Sequence, residues 1–137
     1  MNKRFRSAAP RFGLHILLPV AAIGFSVSVI AWAQGAGVKQ PQQFSVPARF
    51  GRIAFDKACA ACHGDWGSGT DKGPPLIHRI YEPSHHADIA FTLAVQRGAR
   101  QHHWNFGDMP PQPQVTPEEI RAIIRFVREV QEANGIR

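Results

Sequence analysis

Cysteine is scarce in this chain, with two among 137 residues, and after the initiator there is one methionine. Two thiols cannot supply a four-cysteine zinc site or a multi-disulfide framework. Acidic residues are also few, 10 against 16 basic ones, for a formal charge of +6. Four of those basic residues, Lys3, Arg4, Arg6 and Arg11, lie in the first 33 positions, which hold no acidic residue. Without them the balance is 12 against 10, or +2. The excess charge therefore belongs to the N-terminal segment, and no basic stripe with interleaved aromatics remains to suggest a nucleic-acid partner. Alternating apolar runs of useful length are missing, as are internal repeats, so sheet and solenoid architectures are set aside.

What is present at the start is a basic head followed by an apolar run from Phe12 to Ala33 that ends in Ala31-Trp32-Ala33. This layout is that of a secretory signal peptide over residues 1–33. The run is also long enough to span a bilayer, so an uncleaved anchor is the alternative. Both readings place the remaining chain outside the cytoplasm, in the periplasm or on the outer face of the membrane. Residues 34–47, rich in Gln, Gly and Pro, read as a flexible linker. Residues 48–137 are then one small domain whose side chains alone make a marginal core, a deficit that a large apolar cofactor would cover.

Within that domain the helical signals are clear. Phe50, Ile53, Ala54, Ala58 and Ala61 recur at three- and four-residue spacings, predicting a helix over 48–61 that Gly64 stops. A second helix is expected after Ser84 as N-cap, with Asp88 in its first turn and Gly98 at its end. Thr116-Pro117-Glu118-Glu119 is a capping box, followed by Ile120, Ile123, Ile124, Val127 and Val130 on one stripe. Between these, residues 64–84 and 99–115 are turn-rich loops. The expected fold class is all-α.

The chemistry is concentrated in Cys59-Ala60-Ala61-Cys62-His63. A structural zinc site would need further ligands at characteristic spacing, and the histidine pairs His85-His86 and His102-His103 do not supply it. A thioredoxin-like disulfide wants a βαβ setting, and a plain disulfide across one helical turn would close almost no loop. Covalent haem uses every residue of the motif. Cysteines three apart lie on one helix face and can both add to one porphyrin, while His63 reaches the iron. Met109, in Gly107-Asp108-Met109-Pro110, is either apolar filler or the second axial ligand; Trp104 and Phe106 nearby can wall a haem.

These pieces resemble the small soluble class I cytochromes c. The resemblance rests on Gly51 and Phe55 ahead of the cysteine motif, Gly73-Pro74-Pro75-Leu76, Asp108-Met109-Pro110 and Ile123-Ile124-Arg125-Phe126-Val127. It implies three to four helices wrapped around one haem c, held through Cys59 and Cys62 and ligated by His63 and Met109. It further implies that the first and last helices cross through Gly51, Phe55, Ile123 and Phe126. Pro74 would present its carbonyl to His63, and Leu76 would line the haem. The function so implied is one-electron transfer between redox proteins by a monomer. No small-molecule substrate is expected, and membrane contact only through an uncleaved N-terminus. Two rivals stay open. One is a haem enzyme or gas sensor with a labile sixth ligand. The other is a metal-binding module built on His85, His86, His102 and His103, residues that are otherwise solvated or replace Met109.

Overall fold

The computed structural model describes residues 37–137; the signal-peptide reading of residues 1–33, and residues 34–36 of the linker, lie outside them. Helix α1 runs Val46–Ala58, the short α2 Ala60–His63, α3 Asp88–Arg97 and α4 Pro117–Ala133, with single 3₁₀ turns at Asp65–Gly67 and Arg79–Tyr81. The described residues contain no strand beyond one isolated antiparallel bridge, Ala99 to Met109. None of their helices is long and apolar enough to cross a membrane.

Each helix has a local cause. Ser45 caps α1, its hydroxyl accepting from the Ala48 N–H at 3.3 Å, and Pro47 stands in the first turn, where no intrahelical donor is lost. The capping box of α4 forms as expected: Glu119 N–H donates to Thr116 Oγ1 at 3.2 Å and Thr116 N–H to Glu119 Oε2 at 2.8 Å. Helix α3 begins later than Ser84, at Asp88 with Ala87 as an uncapped lead. Ser84 instead donates to its neighbour Glu82 at 3.1 Å, and Glu82's carbonyl accepts from His85 and His86, so a turn uses the residues that would have opened the helix.

Helices α1 and α4 form the main packing interface. At Gly51 a Cβ would collide with the Ala122 carbonyl and come within 2.9 Å of the Ile123 N–H, so only glycine permits the approach. Beside it the rings of Phe55 and Phe126, both fully buried, meet at 5.2 Å between centroids. Burial of each such side chain contributes about 1.5–3 kcal/mol. The crossing implied by the family resemblance is thus present at Gly51, Phe55, Ile123 and Phe126. Ile120, Ile124, Val127 and Val130 complete the buried stripe of α4.

Residues 38–45, read from composition as flexible, are fastened to the domain. Lys39 and Asn134 exchange two hydrogen bonds, at 2.9 and 2.8 Å. Ser45 N–H donates to Glu129 Oε2 at 3.0 Å, and Phe44 stacks on Trp66 with centroids 5.9 Å apart. The composition is linker-like, but one aromatic and two paired polar groups outweigh it.

Candidate functional site

The helix carrying the cysteine motif does not run straight through it. It breaks at Cys59, whose φ and ψ are −120° and −36°, and resumes as α2. The Cys59 carbonyl accepts from both Cys62 N–H, at 3.1 Å, and His63 N–H, at 2.9 Å. The helix over 48–61 expected from the sequence is thus interrupted at Cys59, which is buried, while Cys62 is exposed. Burial pushes the Cys59 thiol up to about 11, with the neighbouring Cys62 adding to the effect, so at neutral pH it holds its proton.

His63 is oriented by the loop that follows. Its Nδ1 faces the Pro74 carbonyl at 2.9 Å, and because a carbonyl only accepts, Nδ1 carries the proton and Nε2 keeps a free lone pair. Desolvation lowers the His63 pKa and outweighs the Pro74 carbonyl, which raises it, so burial favours the neutral ring. The loop itself is set by close contacts. Thr70 Oγ1 donates to the Cys62 carbonyl at 2.6 Å, and a Cβ on Gly73 would lie 2.9 Å from the same oxygen. Leu76 N–H is fixed on the Gly67 carbonyl at 2.8 Å. Trp66, at φ +58°, is the one described non-glycine residue in the left-handed region, stacked under the Arg52 guanidinium at 3.6 Å.

Met109 is placed by a different device. Its N–H and carbonyl pair with Ala99, at 2.8 and 3.0 Å, which ties the loop to the end of α3. Gln112 N–H then donates to the Val95 carbonyl at 2.7 Å. Asp108 Oδ1 accepts from Gln101 N–H at 3.0 Å, and Gln101 Oε1 from Gly107 N–H at 2.9 Å.

These two sides face one cavity of about 620 Å³. Cys59, His63, Pro74, Leu76, Trp104 and Met109 all line it, together with Phe55, Val95 and Ile123; Cys62 lies beside Gly73 instead. Of the seven residues singled out in sequence, six therefore meet at one site. Trp104 Nε1 is buried with no hydrogen-bond partner; it faces Tyr81, whose hydroxyl is raised by burial and opposed by the indole, without reaching bonding geometry. A sizeable apolar cavity bordered by an imidazole nitrogen, a thioether and a thiol suits a large cofactor containing a borderline or soft metal.

Sequence reasoning missed the polar residues that hold the cavity's rim. Gln131 is fully buried and donates to the carbonyls of Leu76, at 2.9 Å, and Tyr81, at 3.0 Å. Arg128 donates to Gln131 Oε1 and Tyr81 O, each at 2.7 Å, pairs with Asp88 at 2.8 Å and reaches the His86 carbonyl. A signal existed for Gln131, which falls four residues after Val127 on the apolar stripe.

Comparison with curated proteins and with solved structures finds no match. The family model described as cytochrome c matches residues 48–131, from the first turn of α1 to the end of the buried stripe of α4. With its helices, its cysteine motif and this match over more than half its length, the chain belongs to the cytochrome c family.

Proposed function

We propose that this protein is a periplasmic one-electron carrier holding a single haem c through Cys59 and Cys62, with His63 and Met109 as axial ligands. The observation that carries the reading is that His63 and Met109, 46 positions apart, border the same apolar cavity, each fixed by backbone hydrogen bonds. The residues fit the group in three ways. The volume, about 620 Å³, is of the size class of cofactor sites. The free Nε2 of His63 is the ring nitrogen left for a metal, and the orphaned Trp104 N–H offers a donor to a polar edge.

Bound haem iron supplies reversible one-electron exchange at the site. The protein's part is to hold and tune it. The Pro74 carbonyl locks the His63 tautomer and raises the basicity of Nε2. Met109 offers a soft thioether that favours the reduced state and so raises the reduction potential. Phe55, Leu76, Val95 and Ile123 keep water from the interior face, which lowers the local dielectric. Were His63 and Met109 both to hold the iron, no ligand position would remain for a substrate, which supports a carrier docking with redox proteins over an enzyme or gas sensor. The basic head and Ala31-Trp32-Ala33 support export, and a domain of this size is proposed to act as a monomer.

Intact mass spectrometry of the exported protein under denaturing conditions tests attachment and processing together. The expected species is the chain without residues 1–33 plus one haem, lost on replacing both Cys59 and Cys62 with alanine. Haem that acid solvent extracts freely would overturn covalent attachment, and a retained N-terminus would turn the carrier into a membrane-anchored one.

A further inference from the structure

Four histidines from two separate segments, 85–86 before α3 and 102–103 in the loop leading to Met109, converge at the edge of the cavity. His85 Nε2 and His103 Nε2 are 3.3 Å apart, and His86 Nε2 and His102 Nε2 are 3.5 Å apart. One nitrogen each from His85, His86 and His103 can be chosen so that all lie within 4.8 Å of one another. The rings of His102 and His103 sit 4.3 Å apart, which keeps the fourth imidazole against the same group.

The second pair indicates what the cluster can hold. His86 Nδ1 faces the Ile80 carbonyl at 2.6 Å, and His102 Nδ1 faces the Arg100 carbonyl at 2.7 Å. Carbonyls cannot donate, so both Nδ1 atoms carry hydrogen and, in the neutral rings, both Nε2 atoms are bare lone pairs. Two lone pairs facing each other at 3.5 Å repel, and a positive centre between them, a metal ion or a proton, turns the repulsion into attraction. The two short separations match metal geometry, while His85, His86 and His103 as a group lie within 4.8 Å and would draw closer around an ion. Two nitrogens held at about 2.0–2.1 Å from one tetrahedral ion are roughly 3.3–3.4 Å apart. Backbone carbonyls on the far ring nitrogens are the usual supports of metal-ligating histidines.

We propose that His85, His86, His102 and His103 form a second metal site, at the edge of the haem cavity that His86, His102 and His103 also line, and that it takes one divalent cation of the imidazole-preferring, tetrahedral kind, zinc being the natural occupant. An all-nitrogen donor set without carboxylate excludes magnesium and calcium and favours zinc or copper. The bound ion cross-links residues 85–86 to residues 102–103, and so clamps the loop that leads to Met109 onto the segment that precedes α3.

The test is zinc titration of the chelator-treated, haem-loaded full chain by isothermal calorimetry, with zinc-edge X-ray absorption on the product. The expected result is saturable uptake of one zinc per chain, in a shell of imidazole nitrogens at about 2.0–2.1 Å. His86→Gln and His103→Gln should each weaken uptake about tenfold or more, since even supporting residues of such sites carry that much. His85→Gln, at an exposed position, repeats the test should His86→Gln unfold. Absence of saturable uptake would overturn the proposal and leave a shared proton as the positive centre. Uptake unchanged in the double variant His86→Gln/His103→Gln would overturn it by placing the ion elsewhere. Zinc uptake is read at the zinc edge and haem ligation by the visible spectrum of the same sample, so failure of the one reading is told apart from failure of the other.

Discussion

At Gly98 the left-handed φ of +78° ends α3, and a Cβ there would lie 2.5 Å from the Met109 carbonyl and 3.1 Å from Pro111 Cδ. One missing methyl group thus sets how closely the Met109 loop packs on the helix. Gly98→Ala is expected to cost about 1–2 kcal/mol from backbone conformation alone, and to displace the thioether. In the oxidised protein the far-red sulfur-to-iron band should weaken or vanish, while thioether attachment at Cys59 and Cys62 persists. An unchanged band would show that Gly98 does not position Met109. The sequence marks Gly98 as a helix stop, since that role is local. Its contact with a residue 11 positions later depends on how the loop returns, which no local pattern encodes. The same holds for Cys59. Its spacing to Cys62 is legible, but the break at Cys59, where two N–H groups share one carbonyl, has no local sequence signal.

Among the elements, α4 does the most to organise the others. Its cap and stripe were readable because both are local and periodic. Its polar contacts were not, because their partners are distant. Glu129 accepts from the Ser45 N–H and pairs with Arg125 at 2.7 Å. Burial alone would raise its carboxyl, but the Ser45 and Arg125 contacts overcome this and hold it below the ordinary 4.5. A carboxylate with a depressed folded-state pKa stabilises the fold above its unfolded value, and the contribution fades as pH falls through the folded one. Stability measured by denaturant titration should therefore drop as pH falls below about 4.5 in the wild type, and less steeply in Glu129→Gln. Equal slopes in the two proteins would remove Glu129 from the account. Gln131 tests the other end of the helix. Gln131→Leu leaves the Leu76 carbonyl without the Gln131 donor in the interior and should cost about 1–3 kcal/mol, with the loss read in the same titrations. A neutral result would mean that apolar packing compensates.

For the whole molecule, the order of motifs along the chain was enough to foresee an all-α domain of the cytochrome c family. Pro74, Leu76, Trp104 and Met109 do converge with Cys59 and His63 on a single cavity. What remained hidden is how the rim closes, through Gln131 and Arg128, and that two histidine pairs 16 positions and more apart meet there. Those contacts join loops whose paths depend on the assembled core. The central claim is that His63 and Met109 both ligate the iron of a covalently held haem. Its most direct measurement is the absorption spectrum of the exported protein, oxidised and reduced, with and without carbon monoxide. The account predicts c-type bands, a far-red sulfur band in the oxidised form and no response to carbon monoxide, with Met109→Ala losing the sulfur band and gaining the response. A wild-type protein that lacks the band and binds carbon monoxide would contradict it.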